Sequence, residues 1–254
     1  MKIADHCFLI TGAASGLGAA TASRIVAAGG QVVLADLAEA AREQAEALGE
    51  AARFCHCDIT DSASVEAALD VAEQTFGAIH GVIHCAGVVS VAKLVDRDGE
   101  PAPLEGFEKT LAINLSGTFN VARLTAARMA RNAAEGEDGE RGIILNTASV
   151  AAFDGQVGQC AYSASKAGVA GMTLPMAREL ARHGIRVMAI APGVFETPMM
   201  AGIPEPAREA LCEAVPFPKR LGKPDEFARL AEHIITNSML NGEVIRLDGS
   251  IRMA

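Results

Sequence analysis

Cys7-Phe-Leu-Ile-Thr11-Gly12-Ala-Ala-Ser15-Gly16-Leu17-Gly18 is the stretch on which the reading of this chain turns. Cys7 to Thr11 is a short apolar run of the kind that fills a buried strand. Three glycines in seven positions then bend the backbone, and apolar residues continue from Ala19 to Ala28 with helical spacing. A strand passing through a glycine turn into a helix presents backbone N–H groups with no side chains in the way, and a helix start favours an anion. The expected ligand is the pyrophosphate of a dinucleotide, cradled by Gly12, Ser15, Gly16, Leu17 and Gly18.

Working outward, Gln31-Val-Val-Leu-Ala-Asp36 reads as a second strand that ends in an acid eighteen residues beyond Gly18. A carboxylate there accepts both ribose hydroxyls of an adenosine and repels a 2′-phosphate, so NAD is expected over NADP. Asp36 is equally suited to cap the helix that follows, and both roles are compatible. Helical segments at 38–48, 62–76 and 225–236 alternate with apolar strands at 53–57, 81–85, 142–146, 184–191 and 243–247. This rhythm predicts an α/β fold, a Rossmann-type doubly wound parallel sheet in a single domain over 1–254. Pro192 and Gly193 follow a strand's carboxyl end, where such sheets bind ligands.

Three stretches break the rhythm. Residues 91–105 and 132–141 keep neither period and read as surface loops. The first carries Lys93 and Arg97, expected at the rim of a substrate cleft, and the second is acidic and expected to be solvated. Residues 194–220 hold five prolines among Met199, Met200, Ile203, Leu211, Val215 and Phe217, which suggests a lid with an apolar underside.

Ser149 follows the strand at 142–146, thirteen residues before Tyr162, and Lys166 lies four residues beyond Tyr162 at the start of a helical segment. That spacing sends the tyrosine and lysine side chains from one helix face. A nearby ammonium favours the phenolate, so Tyr162 can exchange a proton at neutral pH while the Ser149 hydroxyl holds a substrate oxygen. Tyr162 is the only tyrosine, beside nine Phe and no Trp. A core filled with Phe has little structural need for a phenol.

Ser149, Tyr162 and Lys166, together with Asn114 of Asn-Leu-Ser-Gly-Thr-Phe119, resemble the catalytic set of the short-chain dehydrogenase/reductase family. The G-x-x-x-G-x-G spacing after Thr11 resembles the fingerprint of that family too. The resemblance implies that Asn114 holds a water in line with Lys166, and that Lys166 also binds the cofactor ribose. It assigns Asp58 and Ile59 to the adenine, Cys85, Ala86 and Gly87 to the ribose, and Phe195 and Thr197 to the nicotinamide. Ser15 and Leu37 stand where many NADP-using relatives carry basic residues, which again implies NAD. His84 departs from the family's Asn-Asn-Ala-Gly motif: it keeps the hydrogen bonds of the usual Asn as a neutral imidazole, or it adds a pH-dependent charge.

Further stretches resemble the type II 3-hydroxyacyl-CoA dehydrogenases within that family, among them Asn146 to Gln159, Val215 to Gly222 and Asn241 to Met253. This implies a homotetramer that oxidises 3-hydroxyacyl-CoA with NAD; with such a substrate, the lid's apolar side is expected to receive the acyl chain and Lys93 or Arg97 to meet the CoA phosphate. Ser149 and Tyr162 are then the residues that touch substrate. Alternatives left open are a hydroxysteroid or secondary-alcohol dehydrogenase and an NAD-binding scaffold without turnover.

The totals agree with a soluble enzyme. Half the residues are hydrophobic and 21% are charged, an ordinary globular composition. With 31 acidic against 22 basic residues the net charge is -9, which argues against a nucleic-acid or anionic-membrane partner while permitting a local anion site. No apolar run approaches the roughly 20 residues of a membrane helix, and no signal peptide or presequence is recognised. Six cysteines without framework spacing read as reduced thiols in the cytoplasm, and Cys55-His56-Cys57 reads as strand alternation rather than a metal site.

Overall fold

The computed structural model describes residues 1–201 and 204–253. Seven strands form its sheet: β1 (Cys7–Thr11), β2 (Gln31–Asp36), β3 (Ala52–His56), β4 (Gly81–His84), β5 (Gly142–Thr147), β6 (Ile185–Pro192) and β7 (Val244–Leu247). Their order is β3-β2-β1-β4-β5-β6-β7, and every neighbouring pair is parallel. The chain winds outward from β1 to β3, then returns to lay β4 on the other side of β1. That reversal opens a crevice beyond the strands' carboxyl ends.

Helices cover both faces, so the central strands are buried on both sides and read as continuous apolar runs. Phe8, Ile10, Ile83 and Leu145 pack with Ile25 of α1 (Gly16–Ala27) and with Phe227 and Ile234 of α9 (Pro224–Thr236). Leu9, Val82 and Ile144 face the other way, onto Val65 and Leu69 of α3 (Ser62–Phe76) and Val121 and Met129 of α5 (Thr118–Met129). Each strand therefore alternates between two cores.

The sequence reading needs correction in three places. α2 (Ala40–Leu48) starts later than expected, so Asp36 is not its N-cap; its Oδ1 accepts the Ala38 N–H at 3.0 Å in a turn. α4 (Leu104–Leu111) begins inside the stretch read as loop, and a π-helical turn, Ala112–Gly117, joins it to α5. The acidic 132–141 segment is not simply solvated. Glu140 is buried between the Met1 ammonium and the Arg186 guanidinium, both at 2.7 Å, while Glu135 meets His6 at 2.8 Å. Arg186 also donates to the Ile234 and Ile235 carbonyls in the last turn of α9 and to the Leu240 carbonyl in the segment after it. Removing Glu140 leaves the buried Met1 and Arg186 cations without their counter-charge, at a cost of about 3–5 kcal/mol.

Candidate active site

A cleft of about 1180 Å³ opens over the carboxyl ends of the central strands. Every residue expected to bind cofactor lines it, as do Ser149 and Tyr162, whereas Asn114 lies fully buried behind the wall. The glycine turn is built for close approach. Gly12 has φ +66, and a Cβ there would come 2.6 Å from the Ala86 nitrogen; one at Gly18 would come 2.3 Å from the Gly12 carbonyl oxygen. Ser15 caps α1 without a side-chain bond, and no acid stands in the first turn, so the N–H groups of the helix start suit an anion. Asp36 Oδ2 accepts the Ala14 N–H at 2.9 Å, which ties its carboxylate to the glycine turn. The pyrophosphate of a dinucleotide fits this donor set.

Asp58 Oδ1 accepts from the Thr60 backbone and hydroxyl at 2.8 and 2.7 Å, so it fixes a turn beside Ile59 at the same end of the cleft. Phe195 and Thr197 follow β6, where the Thr197 side chain lies against Gly16.

Ser149 begins a short 3-10 turn, its Oγ accepting the Ala151 N–H at 3.1 Å, and it also hydrogen-bonds the Tyr162 hydroxyl. Tyr162 and Lys166 share the first turns of α6 (Cys160–Leu180), as spacing required. Tyr162 is part-exposed to the cleft, yet its phenol lies deep enough for burial to push the pKa up, and the Ser149 bond only partly offsets this. Lys166 is 5% exposed, donates to the Thr147 carbonyl at 2.7 Å, and is pulled down to about 8 by burial. The expected lowering of the phenol by the ammonium is absent in the protein alone, because desolvation acts on both groups and Lys166 Nζ lies 5.9 Å from the tyrosine ring centre.

The Asn114 amide is occupied elsewhere. Its Oδ1 accepts the Val88 N–H at 2.8 Å, and its Nδ2 donates to the Val88 carbonyl at 2.8 Å and to Ser165 Oγ at 3.1 Å. Asn114 thereby clamps the loop after β4 to α6. Ser165, which sequence reading missed, completes that clamp by donating to the Tyr162 carbonyl at 2.7 Å. Serine one residue before Lys166 carries no distinctive pattern that would have singled it out.

Lys93 and Arg97 do not line the cleft; Val88, Val89, Val91 and, from α4, Lys109 do. Of the expected lid residues, Met199, Met200 and Leu211 line it, whereas Val215 is buried elsewhere and Phe217 is 83% exposed. Ile203 lies outside the described residues. His84 is buried and neutral, pulled down to about 3 by burial and then by the Lys166 charge. At the opposite, amino end of the strands, His6, His80 and Glu135 cluster as potential metal ligands. His80 Nδ1 accepts the Cys7 N–H at 3.1 Å, however, which puts its proton on Nε2 and removes that nitrogen as a ligand.

The short chain dehydrogenase family model matches residues 6–208. The chain is 52% identical to the 3-hydroxyacyl-CoA dehydrogenase type-2 of Bos taurus over 247 residues, covering 96% of this chain and 94% of that one. Among solved structures it is similar to a 3-hydroxyacyl-CoA dehydrogenase type-2 from Mycobacterium avium (TM-score 0.94, 44% identity, covering 100% of this chain and 99% of that one). It is also similar to a 3-ketoacyl-(acyl-carrier-protein) reductase from Brucella melitensis complexed with NADH (TM-score 0.87, 30% identity, covering 98% and 99%).

Proposed function

The chain belongs to the short-chain dehydrogenase family, and from that premise we propose that it interconverts 3-hydroxyacyl-CoA and 3-oxoacyl-CoA with NAD. The observation that carries the chemistry is the Ser149–Tyr162 hydroxyl pair at the mouth of a cleft whose floor holds the buried Lys166. Hydride transfer is the chemistry that a nicotinamide dinucleotide supplies when bound. Gly12, Ser15, Gly16, Leu17 and Gly18 would hold its pyrophosphate and Asp36, Asp58 and Ile59 its adenosine. Cys85, Ala86, Gly87 and Lys166 would hold the riboses, and Pro192, Gly193, Phe195 and Thr197 the nicotinamide.

Tyr162 takes the proton of the substrate hydroxyl, and Ser149 donates to the same oxygen as it becomes a carbonyl. Lys166 keeps the phenolate from being an isolated buried charge. Support for the acyl-CoA class comes from the identity to relatives of that name over nearly the whole chain, and from the apolar Val88, Val89, Val91, Met199, Met200 and Leu211 in the cleft. NAD is favoured over NADP by the Asp36 carboxylate at the adenosine end. A homotetramer acting in the cytoplasm completes the reading, to be checked by light scattering and by cell fractionation.

The deciding experiment follows NADH formation on 3-hydroxybutyryl-CoA, a hydroxysteroid and a simple secondary alcohol, with NAD and NADP compared. Highest kcat/KM on the thioester with NAD is expected. A steroid or simple alcohol in first place would displace the acyl-CoA reading, and no turnover on any would favour a scaffold.

Oxidation should also rise with pH in one step. At low pH both Tyr162 and Lys166 hold their protons, and the base that oxidation needs appears only once a proton leaves this site. With Lys166 at about 8, the rate of oxidation is expected to climb through that region, while reduction, which needs the proton, falls through it. Initial rates in both directions across pH check the opposite signs.

A further inference from the structure

β1, β4 and β5 end in a polar row. Their register pairs Thr11 with His84 and His84 with Asn146, and laterally paired residues of a parallel sheet point to the same face. Ile10, Ile83 and Leu145, one residue earlier on each strand, belong to the core on the α1 and α9 side. The row therefore faces the other way, toward α5 and α6. All three residues are buried, and Lys166 donates to the carbonyl of Thr147, the residue after Asn146.

Hydrogen-bond accounting favours one tautomer of the imidazole. Thr11 Oγ1 accepts the Ala86 N–H at 3.2 Å and lies 2.9 Å from His84 Nδ1. A hydroxyl has one hydrogen, and giving it to Nδ1 satisfies both groups, which leaves the ring hydrogen on Nε2. His84 Nε2 and both amide atoms of Asn146 then have no partner among the described residues. Buried polar groups of this kind are commonly satisfied by a water with two to four polar neighbours.

We propose that His84 is a positioning residue for Lys166: as the neutral Nε2–H tautomer it shares one buried water with Asn146, and this uncharged polar layer replaces part of the hydration the ammonium loses. The proposal rests on reading Lys166 as the partner of Tyr162. Burial and the Lys166 charge both hold the imidazole neutral, at about 3, so the layer adds no repulsion at working pH. Among the described residues the titratable groups around this row are Lys166 and Tyr162 from α6 and, one residue after His84 and packed toward the α1 and α9 core, Cys85, whose thiol burial pushes up to about 12. From the π-helical turn comes the uncharged Asn114. An asparagine at position 84 can also donate and accept, whereas a leucine can do neither.

Two measurements test this. In 15N NMR of the NADH-bound protein, His84 is expected to show a protonated Nε2 and a bare Nδ1, unchanged between roughly pH 5 and 9. A protonated Nδ1, or a titration in that interval, overturns the proposal, and this readout needs no substrate, so an error in the acyl-CoA assignment leaves it standing. In pH profiles of kcat for oxidation, His84→Asn is expected to superimpose on the parent, while the acid limb of His84→Leu moves down by about one unit, because the ammonium loses stabilisation, with little change in KM. An unmoved limb in His84→Leu, or an equal displacement in His84→Asn, also overturns it. Should His84→Leu fail to fold, the tautomer and the His84→Asn profile decide.

Discussion

Tyr162→Phe is expected to lower kcat for oxidation by about a thousandfold, within the range that general acid–base groups contribute. The substitution deletes one oxygen and leaves the ring in place, so the α6 packing and the clamp through Ser165 and Asn114 survive. What disappears is the proton acceptor and the partner of the Ser149 hydroxyl. A thousandfold corresponds to about 4 kcal/mol of transition-state stabilisation, more than one neutral hydrogen bond supplies, so loss of the Ser149 contact alone cannot produce it. NADH affinity, measured by fluorescence titration, should stay near the parent value. A variant retaining more than about a tenth of the parent kcat would remove Tyr162 from the proposed acid–base role.

Asp36→Ala is expected to shift cofactor preference from NAD toward NADP by about a hundredfold or more in the ratio of kcat/KM values. Charge-assisted hydrogen bonds to ribose hydroxyls are worth about 1.5–3 kcal/mol, and the same charge repels a 2′-phosphate, so its loss weakens one cofactor and helps the other. Asp36 also holds the Ala14 and Ala38 N–H groups, and losing those bonds loosens the glycine turn for either dinucleotide. That structural cost cancels in the ratio. Paired kinetics with both cofactors therefore isolate the ribose contact, and a ratio that moves less than about threefold would take Asp36 out of cofactor selection.

Much of this was legible because the signals were local. Gly12 and Gly18 announce a turn whose backbone must come close to its neighbour, and the structure places Ala86 and the Gly12 carbonyl where side chains would otherwise stand. Tyr162 and Lys166 needed only helical periodicity to share a face. Asn114 shows the limit: its place near the site was readable, but its bonds to Val88 and Ser165 cross between separate elements and give it a clamping task that spacing does not reveal. Lys93 and Arg97 failed for a related reason, since charge and nearness in sequence to the glycine turn after β4 say nothing about which way a loop folds; Lys109 from α4 lines the cleft instead.

By itself the sequence determined the alternation of buried strands and helices, the glycine turn and the helical pairing of phenol with ammonium, because each depends on dihedral preference or residue spacing over a few positions. Only the tertiary structure decided the burial that draws Lys166 down to about 8, the enclosure of Glu140 by Met1 and Arg186, and the row of Thr11, His84 and Asn146. Those depend on groups that become neighbours after distant strands have paired, and on the water that pairing removes.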